Sequence, residues 1–547
     1  NTFTGNGKYG ILSTRANIYD NSFTENLTGI AQWGRLEFSY AEPGFSDLNT
    51  FTDNTYNNAL GLVGRELRDT LSISFPTSIT TGVYMFEDGG ETVVAGDTLV
   101  IDAGVIIKSG AFGSYSYTQR FNVGDGMLVA SGTAEAPVVF TSYRDHTYGG
   151  KTNAASDTTS AAPGDWYHLS LADGSNDNIT KNSVLEHVVI RYGYYENLYL
   201  ALDGGTLLND LDHLTLEYSM QEGLRANSTG FTLLNSEVKY NAASGNYCAI
   251  VNENYYGNTP IGSIIRNTTV SDNNYIGICG NNYAGGSYTS NFYQNISNST
   301  ISNNGHIGIY IQNLENAMTV LGNTVSGNGN DGINIYSKDV DETDLFYTGN
   351  TVTDNGRYGI LSSSASFIDN AFEGNQVGIS MWGKLGNRYV DENGFDGNTF
   401  TDNTYNNVLG LVGRNLSDTL SITFPDEITS SVYQFLDEGT TVAAGDTLVI
   451  DPGVTIKLGA MTNYSYNEQF NVVDGMLVAS GSAEFPIVFT SYRDHDYGGK
   501  TNALDDTTSA APGDWYHLAL TDAGNDNITK NSVLEHVVIR YGYYENL

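Results

Sequence analysis

Short apolar stretches alternate with polar residues at a period of two along most of the chain, and corners rich in Asn and Gly separate them every few residues. The 3.6-residue period of a helix is missing. The pattern predicts strands of three to five residues joined by tight corners, an all-β chain. One phrase carries it most clearly. "NTFTGNGKYGIL" at 1–12 returns as "NSFTENLTGIA" at 21, "NTTVSDNNYIGIC" at 267, "NSTISNNGHIGIY" at 298, "NTVSGNGNDGINI" at 323, "NTVTDNGRYGIL" at 350 and "NAFEGNQVGIS" at 370. Successive members from Asn267 stand 31, 25, 27 and 20 residues apart. A constant phrase at variable spacing is what loops of different length produce on a constant coil.

A longer period encloses the shorter one. Residues 1–198 align onto 350–547 at an offset of 349 with no net change of length. "APGDWYHL" at 162–169 recurs at 511–518, and the tryptophans pair as Trp33 with Trp382 and Trp166 with Trp515. If each coil pairs with the coils above and below it at ~4.8 Å, equal positions stack. Asn1, Asn21, Asn267, Asn298, Asn323, Asn350 and Asn370 are then expected to form a ladder at an inner turn, each amide bonding to amide and backbone groups of its neighbours.

These phrases resemble the right-handed parallel β-helix repeats of pectinases, phage tailspikes and many bacterial or archaeal surface proteins. "GDTLVIDAGVIIKSG" at 96–110, "GMLVASGTAEAPVVFTSYRDHTYGGKTN" at 126–153, "APGDW" at 162–166 and "LEHVVIRYG" at 185–193 are similar to a module of large secreted β-helix proteins, where they form the opening coils. The resemblance implies a right-handed parallel β-helix (β-solenoid) in tandem units of 349 residues, located outside the cell or on its surface. It places the C-terminal coils of one unit at 1–69, a complete unit at 70–418 and the N-terminal coils of the next at 419–547. Both chain ends fall inside a coil. The chain therefore reads as a window on a longer repeat protein, whose partners are further repeats or copies of itself along a fibre axis.

Charge narrows the partners. The 62 acidic against 24 basic residues give a net charge of −38, spread along the chain, which disfavours nucleic acid and anionic membranes and favours divalent cations. No apolar run approaches the ~20 residues of a membrane span, and no signal peptide is visible. The two cysteines, Cys248 and Cys279, stand three positions out of step on adjacent coils. Strict alternation puts them on opposite faces, so two free thiols are expected.

Catalytic chemistry was sought in the clusters that pectinases carry. "NGHIG" at 304–308 lacks the second glycine of a GHG, and the Asp505–Asp506 pair corresponds to Ser156 and Asp157 in the other copy. No catalytic residue and no required cofactor is assigned. His187 and Arg191, with His536 and Arg540, lie four apart on a strand and could share a face; the bland reading is a polar stripe, because no carboxylate of suitable spacing joins them. His168 reads as a packed loop residue. The turns "DGSNDN" at 173–178 and "DAGNDN" at 522–527 offer Asp173, Asp177, Asp522 and Asp526 as candidate calcium ligands, the alternative being an ordinary Asx turn. "DVDETD" at 339–344 is a further acidic stretch. The acidic loop that the related surface proteins carry after "YGG" is absent, since Lys151 and Lys500 replace its first ligand. Nine Asn-x-Ser/Thr sequons are no more than such a composition gives by chance; Asn178 and Asn527 are the ones present in both copies.

The leading expectation is a structural repeat protein of an extracellular filament, surface fibre or adhesin stalk. The alternative is a carbohydrate-binding or polysaccharide-degrading module on cell-surface glycans, with the loops at 36–48, 143–166 and 252–262 forming one side of a groove. Aromatic side chains clustered beside paired carboxylates would favour the second.

Overall fold

The computed structural model describes the chain except residues 14–17, 34–48, 56–58, 64–65, 68–71, 76–81, 89–90, 94, 111–119, 154–156, 175–178, 203–204, 254–261, 282–292, 315–316, 338–344, 363–364, 383–394, 405–408, 413–414, 417–420, 425–431, 438–440, 443, 460–468, 502–506 and 525–526. It forms two compact units, Asn1–Tyr293 and Gln294–Leu547.

In the first unit the chain winds through three parallel ladders in a fixed order. One coil runs Val184–Glu186, Val188–Arg191 and Glu196–Ala201; the next runs Leu211–Asp212, Thr215–Glu217 and Glu222–Asn227; the one after runs Thr232–Leu234, Glu237–Lys239 and Cys248–Glu253. Each strand pairs in parallel with its counterpart one coil on. Alternate side chains point into the lumen and form columns: Leu185, Leu211 and Leu233; Ile190, Leu216 and Val238; Leu198, Leu224 and Ile250. All are fully buried. Each such burial contributes ~1.5–3 kcal/mol, so the columns, repeated coil after coil, are the main source of stability. The second unit is built the same way, with aromatic rings stacked along the axis in places: Tyr347 on Phe367 at 5.0 Å and Phe372 on Phe400 at 5.1 Å.

Corners are made by single residues in the left-handed region, in pairs five apart: His187 and Tyr192, His213 and Tyr218, Asn235 and Tyr240, Asn267 and Asp272 in the first unit; Asn298 and Asn303, Gly349 and Asp354 in the second. Asn, Asp and Gly tolerate this backbone, which accounts for their recurrence in the phrase. The residue after a corner faces inward. Asn323, Asn350, Asn370 and Asn398 occupy that position and bond in series, Asn350 Nδ2 donating to Asn370 Oδ1 at 2.9 Å and to Val320 O at 2.8 Å, and Asn350 Oδ1 accepting from the Asn323 amides at 3.0 Å. Asn1, Asn21 and Asn49 do likewise in the first unit. Asn267 and Asn298 do not join these ladders. They are the corner residues themselves (φ 52° and 49°), and the inward position falls to Thr268 and Ser299; Ser299 N donates to Asn323 Oδ1 at 3.0 Å. Aligning the phrases on their first Asn slips these two by one residue. A second ladder, after the other corner, runs through Asn304, Asn328, Asn355, Asn375 and Asn403.

The expected repeat boundaries at 69/70 and 418/419 lie outside the described residues, but one ladder in each unit passes beside them. Ala59–Val63 pairs with Val83–Asp88, which pairs with Ile106–Ser109; in the second unit Leu409–Val412 pairs with Val432–Asp437, which pairs with Thr455–Leu458. Within the first unit the phrase also changes face. The second strand of the phrase at 1–12, Tyr9–Ser13, begins the ladder that later holds Thr269–Ser271, the first strand of the phrase at 267.

Cys248 and Cys279 form a disulfide with Cα atoms 6.0 Å apart, which overturns the expectation of free thiols. In this ladder Glu196, Asn197 and Leu198 are all buried, with Asn197 reaching the inner amide ladder at Asn241. Glu222 and Cys248 occupy the same position as Glu196, and Cys279 the position of Tyr199 and Arg225. Strict alternation fails where three successive side chains are buried. Among the described residues no helix is long and apolar enough to cross a membrane.

Candidate functional site

The outer side of the ladder Leu169–Ala172, Glu196–Ala201, Glu222–Asn227 and Cys248–Glu253 gathers most of the unusual chemistry. Register sets it. Glu196 pairs with Glu222, Tyr199 with Arg225, and Asn227 with Glu253, so side chains 26 residues apart in sequence become neighbours at the ~4.8 Å spacing of paired strands. His168 Nδ1 lies 3.0 Å from Glu196 Oε1, and its ring stacks on Tyr199 with centroids 5.6 Å apart. Arg225 Nε donates to Glu253 Oε1 at 2.7 Å, and Asn227 Nδ2 to the Tyr199 hydroxyl at 3.3 Å. Tyr167 lies 4.3 Å from His168 and 5.1 Å from Tyr195, ring to ring.

Three carboxylates here are more than nine-tenths buried, Glu196 at 3%, Glu222 at 7% and Glu253 at 3% exposure, and one guanidinium faces them. Glu253 is answered by Arg225, and Glu196 Oε1 faces His168. Glu196 Oε2 and Glu222 Oε2 are buried without a hydrogen bond. Burial, with the charge of Glu196 added and only partly offset by Arg225, pushes the Glu222 carboxyl up to about 8; burial also raises Glu253, against the pull of Arg225. A buried carboxyl with strongly shifted titration beside aromatic rings is a candidate functional group. The beginning of the same arrangement stands in the other copy, where His517 Nδ1 lies 3.4 Å from Glu545 Oε1 and Tyr516 packs on His517.

The residues singled out by sequence fare differently. Arg191 is held by Asp145 at 3.0 Å and Glu217 at 2.9 Å, with the rings of Tyr148, Tyr192 and Tyr218 around it. The carboxylates thought to be lacking come from adjacent coils, 46 and 26 residues away, and they leave the guanidinium neutralised. His187 stands at a corner, stacked on His213 at 4.3 Å. His536 occupies the equivalent corner (φ 47°), and Arg540 reaches Asp494 at 3.3 Å and Asp496 at 3.2 Å. Asp173 is buried, with Lys181 Nζ 3.7 Å from its Oδ2; Asp522 meets Lys530 at 3.2 Å. Both carboxylate oxygens of each aspartate are buried without a hydrogen bond. Asp177, Asp526, Asn178 and the 339–344 stretch lie outside the described residues, and Asn527 sits at a corner (φ 69°). Among the described residues no three His, Cys, Asp or Glu side chains are placed to hold a metal ion.

Residues 222–400 match the family model of the right handed beta helix region. The chain is a right-handed parallel β-helix. The match falls on the coils that carry the phrase and takes in two of the three buried glutamates. A solved structure of a periplasmic alginate epimerase mutant is similar to this β-helix at 12% identity, over 84% of this chain and 83% of that one, with a TM-score of 0.32. No curated protein matches the sequence.

The sequence reading missed His168, Glu196, Glu222, Arg225 and Glu253 as a group. A signal was present. Aligning "YYENLYLA" at 194–201, "MQEGLRAN" at 220–227 and "NYCAIVNE" at 246–253 on their inward Leu198, Leu224 and Ile250 places Glu196 over Glu222 and Asn227 over Glu253.

Proposed function

We propose that this β-helix is a carbohydrate-binding module working outside the cytoplasm, with the outer face around Glu196, Tyr199, Glu222 and Arg225 as its glycan surface. The observation that carries it is the paired carboxylates Glu196 and Glu222 set among the half-buried rings of Tyr167, Tyr195 and Tyr199. Sugars need such a mixture, aromatic faces for their C–H surfaces and fixed polar groups for their hydroxyls. The disulfide supports an oxidising compartment. The test is electrophoresis of the full chain through gels containing neutral, cationic or uronic polysaccharides. Retardation by at least one, lost in Tyr199→Ala and Arg225→Ala, supports the reading; unretarded migration in all of them overturns it.

A second reading, a structural shaft assembled from tandem units, is favoured by a separate observation: in each compact unit one parallel ladder runs past the expected repeat boundary, with a register shift at Leu62/Val63 and at Leu411/Val412. Electron microscopy of longer tandem arrays tests it. Straight rods that lengthen in proportion to the number of 349-residue units support the shaft; units that flex at the boundaries exclude it.

A further inference from the structure

The orphaned oxygens define what the glycan surface recognises. Of the charged groups there, Arg225 and Glu253 satisfy one another and Glu196 Oε1 faces His168, leaving Glu196 Oε2 and Glu222 Oε2 buried and unbonded on neighbouring strands. Glu196 Oε2 is an acceptor, and Glu222 Oε2 becomes one when its proton leaves; a buried acceptor without a donor costs free energy that a matching ligand returns. With Glu222 ionised the surplus charge is negative. A uronate or sulfated sugar would bring further anionic groups to it and meet repulsion, in a protein already at −38. A divalent metal ion wants six or more oxygens, or a tetrahedral set, and the described residues offer no three ligand side chains together. A primary ammonium group asks for less, two or three acceptors in a partly desolvated site. Flanking rings then cover the sugar that bears it, and Tyr199 with its hydroxyl bonded to Asn227 is held in place to do so.

Resting on the glycan-binding reading, we infer that Glu196 and Glu222 form an ammonium-recognition pair, and that the ligand class is a glycan carrying free amino groups, an amino-sugar polymer rather than a polyuronate. The raised titration of Glu222 fits this, since its proton is the one a basic ligand group displaces or accepts.

The experiment is calorimetric titration of the full chain, at neutral pH where part of the ligand amine is uncharged and can take the Glu222 proton, with three oligosaccharides of matched length: β-1,4-linked glucosamine, its fully N-acetylated counterpart, and oligogalacturonate. The free-amine oligomer is expected to bind most tightly, at least about tenfold better than the N-acetylated one, and Glu196→Gln and Glu222→Gln are each expected to remove about tenfold of that preference. The isosteric amides keep the site's shape, and an unchanged circular dichroism spectrum excludes misfolding. Equal binding of the two glucosamine oligomers with no effect of either Gln variant overturns the ammonium pair and leaves glycan binding standing. Preference for oligogalacturonate does the same. Failure of all three oligomers, together with unretarded migration on every polysaccharide gel, removes the glycan reading itself and this inference with it.

Discussion

Replacing Asn350 by Ala tests the corner ladders at a single residue. The Asn350 side chain makes four bonds: its Oδ1 accepts from Asn323 N and Nδ2, each at 3.0 Å, and its Nδ2 donates to Val320 O at 2.8 Å and Asn370 Oδ1 at 2.9 Å. Two of the partners keep an alternative, since Asn323 Nδ2 also reaches Ile296 O and Asn370 Oδ1 also accepts from Asn350 N. The Val320 carbonyl lies in a strand paired on both sides. The Asn323 N–H loses its acceptor at a buried corner where water does not replace it. At ~1–3 kcal/mol for an unsatisfied group, the loss comes to about 1–3 kcal/mol. Stacked coils open locally, so the assay is hydrogen exchange read peptide by peptide rather than a single melting temperature. With about 1.4 kcal/mol for each factor of ten, the Asn323 amide and its neighbours should exchange about 5- to 100-fold faster. Asn267→Gly is the control, because Asn267 stands outside the ladder at a left-handed corner that Gly adopts freely; it should leave protection unchanged. Equal effects of the two substitutions, or none from Asn350→Ala, would refute the assignment of ladder and corner.

Three further outcomes follow from the geometry. Reducing the Cys248–Cys279 bridge, which spans 31 residues of chain, should lower stability by about 3–4 kcal/mol by the loop-entropy relation; two thiols that react in unfolded, unreduced protein would show that no bridge exists. For Glu222 the folded value of about 8 exceeds the ordinary carboxylate value, so the folded chain keeps a proton that the unfolded chain releases. Its contribution is full in acid and lost as pH rises through about 8, and between pH 5 and 8 the melting temperature of the native chain should fall relative to Glu222→Gln; parallel curves would contradict the assignment. Lys108, fully buried, donates from Nζ to Asp145 O and Gly150 O, both at 2.7 Å. Lys108→Met should cost about 3 kcal/mol or more and expose the 143–153 loop to proteolysis, and a loop as resistant as before would mean that the amine does not hold it.

Much of this architecture is legible in the sequence. The period of two, the recurring Asn/Gly corner and the 349-residue offset lead by themselves to stacked parallel coils. What resists reading is register to the single residue. Asn267 and Asn323 begin similar phrases, yet one inserted threonine makes the first a corner and the second a ladder rung. Cys248 and Cys279 defeat the reading for a related reason, since strict alternation of faces fails in this ladder, where Glu196, Asn197 and Leu198 are buried in succession. The acid cluster was invisible for a third reason. Its members come from successive coils of unequal length, so no local spacing reveals that Glu196 and Glu222 face each other until the lumen-facing leucines fix the frame. Arg191 shows the reverse case, a suspicious residue whose partners on adjacent coils leave it nothing to do but hold them.

The most direct test of the glycan surface is hydrogen-exchange footprinting of the full chain with whichever polysaccharide retards it most. The account predicts protection concentrated in Glu196–Ala201 and Glu222–Asn227, abolished by Tyr199→Ala. Protection confined to other coils, or none where binding is demonstrable, would contradict it.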